Sequence, residues 1–218
     1  MKVIAVNGSP RKTWNTATLL NKALEGAKSA GAETEIVHLY DLKFTGCTSC
    51  FSCKRKGNAN PGICAYQDGL SDCLERIEKC DVLFLGSPIY IGGITGAMHS
   101  FVERLFFPAL TYNVGRASIF RGRVSSCFFY TMGAPEERAK AQNYDAIFQF
   151  NEMRLRTLNG TSEHLASYNT YQFDDYSKHD ATSFDEGEKA RIKAEVFPLD
   201  CRKAFEIGAR LARAAHGT

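Results

Sequence analysis

Long apolar runs and strong charge of either sign are both missing from this 218-residue chain. No stretch approaches the roughly 20 apolar residues of a membrane span, and the apolar run in MKVIAVNGSP is too short for a signal peptide. The net charge is only +3, and the short KRK at 54–56 is the one conspicuous basic block, which disfavours a dedicated nucleic-acid binder. We therefore expect a cytoplasmic protein with neither a membrane nor a nucleic acid as its partner.

Common signatures of nucleotide and metal sites are missing as well. Neither G-x-G-x-x-G nor G-x-x-x-x-G-K-[ST] follows the first predicted strand. The five histidines are scattered and show no H-E-x-x-H spacing, so we expect surface or packing roles for most of them. A binding site must then be sought in the loops of an ordinary fold.

The chain does have a regular alternation of strand and helix patterns. It is 44% hydrophobic and 23% charged, which is typical of a globular protein with a full core. Strands are predicted at 2–7, 34–40, 81–88, 123–133 and 164–173. Helices are predicted around Leu20 to Gly31, around 70–77, and at about 96–107, 135–156 and 186–215, with a loop at 174–187. The alternation predicts a doubly wound α/β fold, in which helices cover both faces of a parallel sheet.

The loop after the first strand, GSPRKTWNTATLL, has the features of a phosphate site. Ser9, Asn15, Thr16 and Thr18 straddle a predicted helix N-terminus, where free N–H groups and the helix dipole favour an anion. Arg11 adds a charged fork. The alternative is that Ser-Pro makes a turn and Asn15 only caps the helix.

Two further loops follow predicted strands and carry glycine beside apolar or aromatic residues. In GSPIYIGGITGAMHSFVERL at 86–105, Gly92 and Gly93 allow the backbone to approach a flat ring, and Tyr90 offers an aromatic face or a hydroxyl group. TMG closes the strand at 123–133. The alternative for the first of these loops is a plain turn beside a core tyrosine.

Taken together, the three loops resemble those of the flavodoxin-like NAD(P)H-dependent FMN reductases. With C-x2-C-x2-C between the second strand and the next helix, the chain is more narrowly similar to the iron–sulfur flavoprotein branch. The resemblance runs from residue 1 to about 135. It implies a three-layer, five-stranded flavodoxin-like domain over 1–218, with a cysteine-rich insertion at about 44–66 and a C-terminal loop plus helix at about 171–215.

The resemblance also implies an FMN site and reduction by NAD(P)H. By that resemblance, the FMN phosphate would be held by Ser9, Arg11, Asn15, Thr16 and Ala17. The isoalloxazine ring would be bordered by Pro88, Ile89, Tyr90, Ile91 and Gly92 on one side and by Thr131, Met132 and Gly133 on the other. No catalytic side chain is named, because the flavin itself accepts the hydride.

Four of the eight cysteines stand in GCTSCFSCKRKGNANPGIC, residues 46–64. Cys47, Cys50, Cys53 and Cys64 are candidate ligands of a [4Fe–4S] cluster or of zinc. However, the insertion at 54–62 places Cys64 farther from Cys53 than the branch does. The sequence favours a thiol loop without metal, which includes a redox-active pair, over a cluster, and a cluster over zinc. The other four cysteines are expected to be small hydrophobes.

The sequence is compatible with three functions. The favoured one is an FMN-dependent NAD(P)H oxidoreductase that reduces a small acceptor such as a quinone, a nitro compound or a flavin. The second is an iron–sulfur electron carrier with a ferredoxin-like partner, and the third is a thiol-based redox or metal sensor. The resemblance implies a homodimer or homotetramer, and we expect the aromatic segment 171–184 to cross to the partner subunit.

Overall fold

A computed structural model describes residues 1–216 of the chain. Its main sheet has the order β2-β1-β3-β5-β6, with every neighbouring pair parallel, and the short β4 pairs antiparallel with β3. The strands are β1 Lys2–Asn7, β2 Glu33–His38, β3 Val82–Tyr90, β4 Gly93–Ile94, β5 Val124–Thr131 and β6 Asn159–Ser167. The helices are α1 Asn15–Ser29, α2 Ser71–Glu78, α3 Gly96–Ala109, α4 Glu136–Ala141, α5 Tyr144–Leu155, α6 Glu186–Arg191 and α7 Phe197–His216.

Helices cover both faces of this sheet, so the predicted doubly wound α/β fold is confirmed. One apolar cluster joins α2, α3 and α5 to the sheet through residues such as Ile77, Phe101 and Phe148. A second cluster joins α1 and α7 to the opposite face. The central strands β1, β3 and β5 are buried along nearly all their length, which explains their continuous apolar runs.

Three predicted elements differ in their bounds. The helix at 135–156 is broken into α4 and α5, because Asn143 takes a left-handed backbone conformation with φ 57°, which asparagine tolerates better than most residues. The strand predicted at 164–173 runs instead from Asn159 to Ser167. Its first half is polar and half-buried, so it gives no apolar signal.

The last predicted helix spans α6 and α7, joined without a break by a π-helical segment, Ile192–Val196. Its α7 part packs on α1 at very close range. A Cβ at Gly26 would lie 2.0 Å from the carbonyl oxygen of Phe205, and one at Gly208 would lie 1.9 Å from that of Ala23. Glycine at both positions therefore lets the two backbones approach. Among the helices of residues 1–216, none is long and apolar enough to span a bilayer.

Candidate functional site

The loops that carry the predicted site residues meet at the carboxyl edge of the sheet. β1 has β2 on one side and β3 on the other. The connection after β1 leads to β2 at one edge of the sheet, and the connection after β2 crosses back over β1 to β3, so the direction of winding reverses at β1. This is the switch point at which doubly wound folds bind their ligands. The carboxyl ends of β3 and β5 and the loops after β1, β5 and β6 line one cleft there.

The loop after β1 is shaped by its own side chains. Asn7 Oδ1 accepts a hydrogen bond from the backbone N–H of Ser9 at 3.0 Å, and Ser9 Oγ accepts one from the N–H of Arg11 at 3.1 Å. The carbonyl of Gly8 accepts from the hydroxyl of Thr95 at 2.7 Å, which fastens this loop to the N-cap of α3. The turn is thus held by internal bonds before any ligand binds.

The loop leads into an α1 N-terminus that is open to an anion. Trp14 stands at the N-cap and supplies no capping side-chain bond, and the first turn has no acidic residue. The N–H of Thr18 is the first to bond within the helix, to the Trp14 carbonyl at 2.9 Å, so the N–H groups of Asn15, Thr16 and Ala17 have no intrahelical acceptor. The guanidinium of Arg11 lies 4.5 Å from the Trp14 ring centroid, at the same end of the helix. These groups fit a phosphate.

The β3–β4 hairpin forms a second wall and contains a strained turn. Ile91 has φ 49° and Gly92 has φ 79°, as a two-residue hairpin turn requires. A β-branched residue rarely adopts a positive φ, and Ile91 is also fully exposed. Such strain is typical of ligand-binding turns.

Most of the predicted FMN residues line the cleft. Those that do so are Ser9, Arg11, Asn15, Thr16, Pro88, Ile89, Tyr90, Thr131, Met132 and Gly133. Ile91 and Gly92 line an adjoining cavity, which shares Ile89, Met132 and Gly133 with the cleft. Ala17 is fully buried, so only its backbone is available at the helix N-terminus. A buried hydrogen bond of 2.7 Å joins the hydroxyls of Thr16 and Thr131 and ties α1 to the end of β5.

Sequence reasoning missed one wall of this cleft. It is formed by Trp14 and by the loop after β6, Thr170, Tyr171, Gln172 and Phe173. Asn15 Nδ2 donates to the Tyr171 carbonyl at 2.8 Å, and Arg11 Nη1 donates to the Gln172 carbonyl at 2.5 Å. The start of segment 171–184 therefore contacts the cleft of its own chain. The only sequence signal for this wall is the aromatic content of that segment.

The side chain of Gln172 indicates whether the cleft suits a ligand that carries an N–H group. Its side-chain Oε1 is buried and has no hydrogen-bond partner among the described residues. A buried acceptor without a donor is costly. A planar heterocycle with an N–H edge, such as a flavin, would satisfy it, so the cleft offers a phosphate end and an acceptor-bearing wall.

The four clustered cysteines lie elsewhere, around one small cavity between the irregular loop after β2 and helix α3. Cys47, Cys50, Cys53 and Cys64 all line it. The insertion at 54–62 therefore does not carry Cys64 away from the other three. In the part of the chain that the structure covers, however, no group of three or more His, Cys, Asp or Glu side chains is arranged to hold a metal ion.

Two cations position this cysteine loop, and sequence reasoning identified neither of them. Arg104 is buried and contacts Asp68 at 2.8 Å, the carbonyls of Thr45 and Tyr66, and the Sγ of Cys64 at 2.9 Å. Lys54 Nζ donates to three carbonyls at the end of α3, those of Phe107, Pro108 and Leu110. These contacts fasten the cysteine loop to α3 and to the segment around Asp68.

The thiols differ in their ionisation. Hydrogen bonds from the backbone and side chain of Ser52 lower the pKa of exposed Cys50, whereas burial raises that of Cys53. Burial raises the pKa of Cys73 and of Cys80 to about 12. The buried cysteines thus behave as small hydrophobes, as expected.

Comparison with known proteins places the chain in a family. The model described as NADPH-dependent FMN reductase matches residues 1–162. The chain belongs to this family. The predicted resemblance to this family is therefore confirmed.

Among relatives, an iron-sulfur flavoprotein of Methanocaldococcus jannaschii is 35% identical over 48% of this chain and 51% of its own length. An iron-sulfur flavoprotein of Archaeoglobus fulgidus is 32% identical over 66% of this chain and 61% of its own length. The chain thus spans only half to three-fifths of these relatives. A solved structure, the NAD(P)H:quinone oxidoreductase from Methanothermobacter marburgensis, is similar in fold at a TM-score of 0.70 and 16% identity, covering 97% of this chain and 96% of that one.

Proposed function

We propose that this chain is an FMN-binding NAD(P)H oxidoreductase that reduces a small acceptor such as a quinone, a nitro compound or a free flavin. The observation that carries the proposal is the convergence of an uncapped helix N-terminus and Arg11 on the cleft formed by the strand ends. The family and the fold agree with it.

The residues of the cleft divide into a phosphate end and a ring end. The N–H groups of Asn15, Thr16 and Ala17, with Arg11 and Ser9, would hold the phosphate. Residues 88–92 and 131–133 would flank the ring, and Gln172 Oε1 would accept from its N–H edge. When bound, FMN supplies the hydride chemistry itself, so the protein has only to orient it and to admit a donor.

The adjoining cavity is a suitable entry for that donor. It has a volume of about 580 Å³ and is lined by Ile91, Gly92 and Met132 as well as by Arg138 and Tyr144. Arg138 is exposed and stands on α4. A guanidinium there suits the phosphate groups of a nicotinamide nucleotide.

The setting of the protein is part of the same proposal. Eight free thiols suit a reducing cytoplasm, with no nucleic acid or membrane as partner. Assembly is proposed as a homodimer or homotetramer. The exposed Ile91 turn and the segment 171–184 would lie at or near the contact between subunits.

Anaerobic reduction tests this function. FMN-loaded protein mixed with NADPH or NADH should lose its flavin absorbance, and a quinone should restore it. A variant with Cys47, Cys50, Cys53 and Cys64 all changed to Ser is the matched control, and it should react at a similar rate. Flavin that binds but is reduced by neither nucleotide would contradict the reductase assignment.

One observation favours a second candidate, an iron–sulfur electron carrier that relays single electrons to a ferredoxin-like partner. All four cysteines reach one cavity beside two cations, and four thiolates are the usual ligand set of a [4Fe–4S] cluster. Protein purified without oxygen would then contain about four iron and four sulfide per chain, and Cys50→Ser would lose them. Iron-free protein that still turns over NAD(P)H would exclude this candidate.

A further inference from the structure

A buried lysine stands directly behind the wall of the cleft. Lys189, on α6, is only 1% exposed. Its Nζ donates to the Gly133 carbonyl at 3.0 Å, to Asn169 Oδ1 at 2.8 Å and to the Thr170 carbonyl at 3.3 Å. The same nitrogen lies 4.7 Å from the ring centroid of Phe184. An ammonium group has three donors, and this pocket supplies three acceptors.

Within residues 1–216, Lys189 forms no ion pair with a carboxylate. Two of the nearby acidic residues along the chain are otherwise engaged. Asp185 caps α6 through the N–H of Glu188, and Glu188 pairs with Arg191 at 2.8 Å. Burial lowers the pKa of Lys189 to about 8, so the group is still mostly charged at neutral pH. Burying a cation without a counter-ion costs free energy. We therefore expect Lys189 to have a function that offsets this cost.

The three acceptors belong to the two loops that border the cleft. Gly133 lies in the segment after β5, and Thr170 begins the wall after β6; both line the cleft. In a trans peptide the C=O and N–H groups point in opposite directions. With their carbonyls directed at Lys189, the peptides that follow Gly133 and Thr170 direct their N–H groups away from it.

We propose that Lys189 is a positioning residue that joins these two loops and supplies the positive charge that favours the reduced form of the bound flavin. The inference rests on the proposed function. Hydride transfer from the nicotinamide nucleotide adds two electrons and one proton, so the bound group becomes one unit more negative. A cation held a short distance behind the wall lowers the energy of that added charge.

The midpoint potential of bound FMN tests this charge effect. It should be measured in the whole chain and in Lys189→Met, Lys189→Gln and Lys189→Arg. Lys28→Met is the matched control, because Lys28 is exposed at the end of α1 remote from the cleft. Met and Gln should reduce the preference for reduced over oxidised FMN about tenfold, a fall of roughly 30 mV for a two-electron couple. Arg and the control should stay near the wild-type value.

The outcomes separate the two proposals. If Lys189 only braces the loops, Lys189→Gln, which keeps hydrogen-bond donors, will weaken oxidised and reduced FMN alike and leave the potential unchanged; that result overturns the inference. If Lys189→Met does not fold, the Gln and Arg variants still decide the matter. Wild-type protein that fails to take up FMN at all would instead reject the proposed function, and the inference with it.

Discussion

At the scale of single residues, the environment of each thiol sets its chemistry. Cys50 is exposed, and hydrogen bonds from Ser52 lower its pKa. Cys73 and Cys80 are buried on α2 and just after it, and their pKa is about 12. Cys127 lies in the central strand β5, where complete burial raises its pKa well above the usual value. One residue type thus serves both as a reactive group and as core packing.

Alkylation should separate these two groups. At pH 8 a thiol with a pKa of about 12 has roughly one part in ten thousand in the reactive thiolate form, so Cys73 and Cys80 should resist iodoacetamide in the native protein. Cys50 should react first. Peptide mapping by mass spectrometry gives the order, and the same reaction in concentrated urea, where all eight thiols should react, is the control. Labelling of Cys73 at the rate of Cys50 would contradict the burial described above.

At the scale of elements, the contact between α1 and α7 connects the two ends of the site. The first turn of α1 provides the proposed phosphate end of the cleft, and the continuous helix that ends in α7 begins with α6, which carries Lys189. Gly26 and Gly208 let these helices approach, because each lies against a backbone carbonyl of the other helix. The packing of the two helices should therefore be sensitive to a single methyl group.

Gly208→Ala should destabilise the protein by about 1–3 kcal/mol, or more if the helices cannot separate. The new Cβ would meet the carbonyl of Ala23, and this cost exceeds the gain of up to about 1 kcal/mol in helix propensity. Urea unfolding measures the change. Gly96→Ala is the control, since nothing lies within 4 Å of its added Cβ, and it should be neutral or slightly stabilising. Equal effects of the two changes would contradict the close contact.

The strands differ in how well the sequence predicts them. β1, β3 and β5 were predictable because both their faces are buried, and the loops after them then marked the site. β6 was misplaced because an edge strand with a half-polar pattern gives a weak signal. The wall at Thr170–Phe173 that follows it is held by contacts with Arg11 and Asn15 from the other end of the chain. The roles of Lys189 and Arg104 could not be predicted from the sequence, because these roles are set by tertiary contacts and no local sequence pattern marks them.

At the scale of the whole molecule, two parts of the chain build the cleft. Residues 1–162, which the family matches, supply the proposed phosphate end and the proposed ring-flanking loops. The residues beyond them supply the wall after β6 and the buried lysine. The part of the proposed flavin site that the family shares is thus the N-terminal one, and we expect the C-terminal part to adjust the flavin affinity and potential of this particular chain.

The central claim is that the N-terminus of α1 binds the phosphate of FMN, and a comparison of FMN with riboflavin tests it most directly. The two ligands differ only in that phosphate. Each charge-assisted hydrogen bond contributes about 1.5–3 kcal/mol. Fluorescence titration of ligand-free protein should therefore show that FMN binds on the order of 100-fold more tightly than riboflavin. Arg11→Ala should reduce this difference in affinity. Equal affinities for FMN and riboflavin, or binding of neither, would contradict the account.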